Sequence, residues 1–416
     1  NKNYETPGYG KELVSNSYEP EKWRRALEAC DYALKWAEDN GGNKLLLVDN
    51  MPSRVANLKD PYIPENSDED FVAHVKLMSL VLQSTPDEGN FEYLWGIVPY
   101  VAIGFWSPLP LNIIERNGSW VSGYSQMAPT LYTIEHFCTK NGKLPENDEK
   151  FVDKSDWLKS AGVSGRSDII NLCVGREPRF YATVAYNGCL WNGTNAVQSY
   201  DRNLIIWYYR GEESGWSNSG DRWLATGIGI RKFVSSRDNF KTEGGVISKP
   251  VIGIRYADVL LWYAEALNEL GASTYQIPSW DGTQSYDISR DKNEMSYAIS
   301  RVRIRGGVPD FGSDVYENAD EFRKHLKHER QIELFAENSR YFDLRRWKDA
   351  EYEESQQMYG CNAYMSKTER DLFHTQVINS NLPTTFSRKM YFWPISHDQL
   401  RRNLRLTQNP GWTYYD

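Results

Sequence analysis

Four tryptophans, Trp191, Trp207, Trp216 and Trp223, fall within 33 positions of a 416-residue chain that holds 15 in all, about a threefold enrichment. Their surroundings differ. Trp207 sits in the strand-like run Leu204-Ile205-Ile206-Trp207-Tyr208-Tyr209, which reads as core. Trp191 in Leu-Trp-Asn-Gly-Thr and Trp216 in Ser-Gly-Trp-Ser-Asn-Ser-Gly sit in polar, turn-rich text that a core would not use. Those two and Trp223 are therefore expected to be held out to water by turns. Trp106, Trp120 and Trp280 also escape helical stripes and form a second rank. A ring presented this way binds by stacking and makes no bonds. Asn192, Asn195, Asp201, Arg202, Arg210 and Asp221 lie close enough in sequence to supply hydrogen-bonding groups around the rings.

A second candidate is a carboxylate pair. Glu329 and Glu333 share one stripe with Phe322, Leu326 and Ala336. Carboxylates four residues apart on a helix stand roughly 5–6 Å apart at Cβ, near the roughly 5–5.5 Å of a retaining glycosidase. Hydrolases, however, place acid and nucleophile on opposite sides of a cleft. Two acids on one apolar stripe need cations, and Arg330, Arg340, Arg345 and Arg346 follow closely. The reading is structural ion pairing of Glu329 and Glu333 with Arg340, Arg345 and Arg346. His325 and His328 form an H-x-x-H with no further ligand at a matching spacing, so they read as a polar face and no metal is expected. There is no G-x-S-x-G, H-E-x-x-H or phosphate-binding loop, and no catalytic residue or cofactor is assigned. The five cysteines, Cys30, Cys138, Cys173, Cys189 and Cys361, contain no C-x-x-C. They read as buried free thiols, with Cys173–Cys189 the single bridge open.

The elements that must position these groups are mostly helical. Helices are expected over Pro20–Asp39, Asp68–Gln83, Arg255 to Gly271, Lys292–Arg305 and Asp320–Trp347. Trp23, Trp36, Trp262 and Trp347 fall in them and read as core. Ala257, Ala264 and Ala298 allow two of the helices to approach as a tetratricopeptide-like hairpin, although no 34-residue period follows. Between them the text is loop-rich with short strands. The chain thus divides into an N-terminal helical part (1–90), a loop-rich binding region (91–250) and a C-terminal helical part (251–416). Aromatics make up 14%, with as many Trp as Phe, and the net charge is 48 − 56 = −8. Nucleic acid and anionic lipid are poor partners for such a balance. The longest apolar stretch, Tyr93–Trp106, is interrupted by Gly96 and Pro99, too short for a membrane helix. The start Asn-Lys-Asn-Tyr-Glu has neither initiator Met nor apolar leader, as expected of a processed or truncated product.

Five ordered segments carry a family resemblance. Glu329-Arg330-Gln331-Ile332-Glu333-Leu334, then Glu337, Arg340 and Asp343-Leu344-Arg345-Arg346-Trp347, resembles the ER-x-x-EL…E-x-x-R-x-x-DLRRW stretch of the SusD/RagB family. Arg176–Phe180 with Tyr186-Asn187-Gly188 resembles RDPRF…YNG. Thr226-Gly227 through Arg231-Lys232-Phe233, Arg255–Glu269, and Tyr391 through Pro394-Ile395 to Gln408–Gly411 resemble three further family motifs. The resemblance implies a tetratricopeptide-like helical body with a loop-rich region bearing the ligand site. It also implies a lipid-anchored protein of the outer-membrane surface that captures oligo- or polysaccharide, less often peptide, and delivers it to a SusC-like TonB-dependent transporter. Sugars offer an apolar C–H face to rings and hydroxyls to Asn, Asp and Arg. On that reading Trp191, Trp216 and Trp223 are the expected anchors, with catalysis absent and the anchoring cysteine outside the chain.

Overall fold

The computed structural model describes residues 17–51, 61–65, 67–100, 113–116, 119–121, 125–192, 203–212, 214–216, 223–235, 238, 247–378 and 385–412, with backbone alone at 98–100, 113–116, 119–121, 192, 203 and 204. The fold is mostly helical. Helix α1, Pro20–Asn40, begins on Pro20, whose fixed φ suits a first turn, and ends where Gly41 takes φ +64°. Helix α2, Glu69–Leu80, is capped by the Asp68 carboxylate, which accepts from the Phe71 N–H at 2.8 Å. Strand β1, Tyr93–Tyr100, is followed by helix α3, Pro178–Thr183, and the short hairpin β2, Leu190–Asn192, with β3, Asn203–Ile205. Strand β4, Lys249–Arg255, pairs antiparallel with β1 and runs directly into helix α4, Tyr256–Glu269. Helices α5, Lys292–Arg305, α6, Ala319–Glu333, and α7, Ser339–Trp347, follow, then the hairpin of β5, Tyr359–Cys361, and β6, Gln376–Ile378.

Two apolar cores result. The first fills the space between α1, α4, α5 and α6, with Leu27, Leu34, Leu260, Leu267, Met295, Ile299 and Leu326 all buried. Ala257, Ala264 and Ala298 are each fully buried, which allows the close helix approach their size suggests. The second core gathers α2, α3, the loop-rich region and the β5–β6 hairpin around Met78, Phe137, Phe180, Tyr208, Tyr209 and Phe373. Residues more than 200 positions apart therefore share it. Every described sheet has only two strands, so these loops take their rigidity from side-chain packing and not from extended ladders.

Two sequence expectations are corrected. Asp320–Trp347 is not one helix: it breaks after Glu333, and Ala336 and Asn338 adopt φ +62° and +66°. On a straight helix the 13 positions from 330 to 343 would span about 20 Å. The break instead folds α7 back, and the Arg330 guanidinium grips the Asp343 carboxylate through two bonds of 2.8 and 3.0 Å. Trp36 is on the helix expected of it but is 45% exposed, on the outer face of α1.

Candidate functional site

The loop after β3 is pinned at both ends by bonds from its backbone N–H groups. Tyr208 N–H donates to Asn187 Oδ1 at 2.7 Å, Arg210 N–H to Met365 O at 2.9 Å, and Gly211 N–H to Trp216 O at 3.0 Å. The second of these joins it to the 362–375 loop of the β5–β6 hairpin. That hairpin is itself pressed against the turn after Trp223. Gly227, at φ +67°, lies where a Cβ would come within 2.8 Å of the Phe373 ring and 3.2 Å of Cys361 Cβ. No larger residue fits without pushing the hairpin away.

This docking assembles three rings. Tyr364, 49% exposed, has Trp216 edge-on at 5.4 Å between centroids (70° between planes) and Trp223 at 5.3 Å (53°). Trp216 and Trp223 are half-buried. The rings form an angled corner, not a flat shelf. Charges border it: Arg210 pairs with Glu369 at 3.2 Å, and the Lys367 ammonium lies 4.1 Å from the Trp207 ring centroid. Hydrogen bonds from the Ser366 hydroxyl and N–H, with Arg210 nearby, hold the Glu369 carboxyl below its usual range. Tyr364 carries no signal in the sequence. It lies 141 positions beyond Trp223, outside any ring-rich window, and only the fold brings it in.

Other expected site residues lie elsewhere. Trp191 is a correction: it is 7% exposed, packed in the second core with the Arg231 guanidinium 5.5 Å over its ring. Pairing of β2 with β3 turns this residue inward despite its polar, turn-rich neighbours. Trp280 is partly exposed and donates from its indole N–H to Asp39 of α1 at 2.7 Å, apart from the three-ring corner. Trp106, Asn195, Asp201, Arg202 and Asp221 lie outside the described residues, as do the side chains of Trp120 and Asn192. Among the rim residues Arg210 alone is placed beside the corner. All five cysteines are buried free thiols, so Cys173 and Cys189 are not bridged.

Glu329 and Glu333 sit in a closed charge network. Glu329 is bound by Arg303 at 2.6 Å and by Arg179, and Glu333 by Arg255 at 2.8 Å, Arg179 at 3.2 Å and Arg305. Glu177 joins through Arg179 (2.6 Å), Glu92 through Arg255 and Arg305 (2.7 and 2.9 Å), and Glu337 through Arg255 and Lys232 (2.8 and 2.6 Å). Five carboxylates thus face five cations. Burial alone would push the Glu333 carboxyl up, but Arg305, Arg255 and Arg179 hold it far below its usual range. Glu329 is lowered for the same reason, with Arg179 and Arg303 overcoming burial.

The expected cations are corrected. Arg340 pairs with Glu353 at 3.2 Å, Arg345 with Glu354 at 2.7 Å, and Arg346 with Glu265 and Asp343. The helix break carries all three away from the stripe, and arginines distant in sequence take their place. His325 Nδ1 meets the Glu321 carbonyl at 2.9 Å, and His328 Nε2 the His136 carbonyl at 2.6 Å. Among the described residues no group of three His, Cys, Asp or Glu is placed to hold a metal, and no helix is long and apolar enough to cross a membrane.

The chain's relatives agree with this architecture. No curated protein matches it. Two structures of BT4246, one with selenomethionine, superpose with a TM-score of 0.82 at 35% and 34% identity, covering 99% of this chain and 68% and 66% of theirs. A SusD-like protein, BF3747 of Bacteroides fragilis NCTC 9343, shares the fold at 20% identity and a TM-score of 0.61, over 94% of this chain and 64% of its own. The chain thus spans about two thirds of the length of the structures it resembles. The sequence profile of the SusD family matches residues 104–412, three quarters of the chain and every motif read from it. By that match the protein belongs to the SusD family.

Proposed function

We propose that the protein captures a glycan at the corner formed by Trp216, Tyr364 and Trp223 and passes it, unchanged, to a SusC-like TonB-dependent transporter at the outer-membrane surface. The observation that carries the reading is the half-exposed Tyr364 ring bracketed by two indoles at 5.4 and 5.3 Å. Three rings converging from separate segments offer stacking area for the C–H faces of sugar rings, and Arg210 and Glu369, paired across the two loops that carry Trp216 and Tyr364, are the polar groups proposed for hydroxyls. The transporter, the surface location and a lipid anchor are part of the proposal and are supported by family membership alone. Non-catalytic action is supported by the state of Glu329 and Glu333: both are sealed from solvent and bonded to two or more arginines, so no substrate can reach either carboxylate.

The test is a glycan array on the intact chain, repeated with Tyr364→Ala. Retention of one glycan class by the native chain and its loss in the variant is the expected result. Equal retention by both would move the site elsewhere, and capture of peptides with no glycan bound would sink the ligand assignment. Release of reducing ends on long incubation would refute the non-catalytic reading.

A further inference from the structure

Directly beneath the 362–375 loop, the second core encloses a cavity that leaves about 20 Å³ for the centre of a water. Its wall includes Tyr186, Asn187, Asp168, Cys361, Phe373 and His374, and each is at least nine-tenths buried. Most of the wall is apolar side chains, yet several of its polar groups lack well-formed bonds. The Tyr186 hydroxyl, the Asn187 amide nitrogen and both ring nitrogens of His374 make no well-formed hydrogen bond among the described residues, the Asp168 backbone lying near enough to act on the His374 ring without completing one. The other half of the Asn187 amide is committed, since Oδ1 accepts from Tyr208 N–H. The Tyr209 hydroxyl also lacks a well-formed hydrogen bond, with the Asn187 side chain beside it, and its ring lies 6.3 Å from that of His374.

Buried donors and acceptors are rarely left so, because each forfeits its bonds to water on folding. Several in one chamber demand a shared partner. Size and charge define it. About 10–15 Å³ of such space holds one water, so the cavity takes one or two and no sugar ring. Burial holds the His374 imidazole at about 4, neutral, with one donor and one acceptor nitrogen, and the Asp168 carboxylate lies 3.4 Å from Arg166. No net charge calls for an ion.

We propose that this cavity is a structural hydration site, in which one or two waters bridge His374 of the 362–375 loop to Asn187 and Tyr186 of the core. His374 and Tyr364 ride on the same loop, so the bridge ties the segment carrying the third ring to the body of the protein. It is an internal site separate from the ring corner, and its existence does not depend on what the corner binds.

A high-resolution crystal structure of the full chain tests it. Density is expected within about 3.2 Å of a His374 ring nitrogen and of Asn187 Nδ2. Under xenon pressure the cavity should admit no xenon, because a wet chamber excludes it while a dry apolar one takes it up. His374→Phe should fold and lose at least one of the waters; if it does not fold, Tyr186→Phe, which removes a single hydroxyl, should lose the water beside it. Absent density in the native chain, or xenon occupancy, overturns the proposal.

Discussion

The ten-charge network and the three-ring corner are built for opposite relations to water. In the network, side chains from six segments converge on α6, and the carboxylates of Glu329 and Glu333 are wholly removed from water. Nothing can reach them, so their chemistry is spent on holding α6 against α3, α5 and the β4–α4 junction. In the corner, Tyr364 keeps half its surface in solvent and its partners are held by main-chain bonds around them. The difference teaches that a dense, reactive-looking charge cluster can be inaccessible while plain aromatic rings stay open to solvent. The acids with the most reactive-looking pattern are sealed into the scaffold, and the rings of the proposed site keep contact with water.

The largest expected effect breaks the network. Glu333→Ala removes the acid shared by Arg255, Arg305 and Arg179 and leaves three buried guanidiniums under-compensated. Breaking such a buried pair costs about 3–5 kcal/mol. Urea unfolding should show a loss of that size; a loss below about 1 kcal/mol would mean the network is dispensable.

Next comes pH. His374 is held at about 4 by burial, whereas unfolded histidine titrates near 6.5. A depressed base means that between those values the unfolded chain binds a proton that the folded chain does not. Stability from this group is fully present above about 6.5 and falls as the pH drops toward 4, by up to about 1.4 kcal/mol per unit. His374→Phe should reduce the slope of the urea midpoint against pH in that window, leaving the part due to His328, which burial also holds at about 4. An unchanged slope would place the titration elsewhere.

The corner is tested by Trp216→Ala. Loss of a stacking anchor should cost about 2 kcal/mol of glycan binding, near thirtyfold in Kd. Because Trp216 is partly exposed and its loop is fixed by backbone bonds, melting should shift little. A large drop in Tm with unaltered affinity would make the ring a packing residue and place the binding surface elsewhere.

What the sequence reveals follows from the range of the physics. Helices α1, α4 and α5 are legible because their apolar periodicity and their stops at Gly41, Gly271 and Gly306 are local. The ion pairing of Glu329 is legible as a need, since an acid on an apolar stripe must be answered, but its partners Arg179 and Arg303 lie 150 and 26 positions away. Local charge counting therefore names the wrong arginines. Trp191 misleads for the complementary reason: its neighbours are polar, but strand pairing decides which way it points. Tyr364 is illegible altogether, because its partners are set by the docking of two distant loops.

The smallest effect sharpens the corner's edge. Arg210 is about half exposed at its side chain, pairs with Glu369 at 3.2 Å, and holds the loop through its own N–H, which any residue supplies. Exposed pairs of this kind contribute about 0–1 kcal/mol. Arg210→Ala should therefore leave unfolding within about 0.5 kcal/mol of the native chain. If the guanidinium reads ligand hydroxyls, affinity falls by a smaller factor than in Trp216→Ala, and the loss persists at high salt, where the pair with Glu369 is already screened. Should calorimetry find the affinity untouched, the rim contributes no recognition and the three rings alone define what the corner accepts.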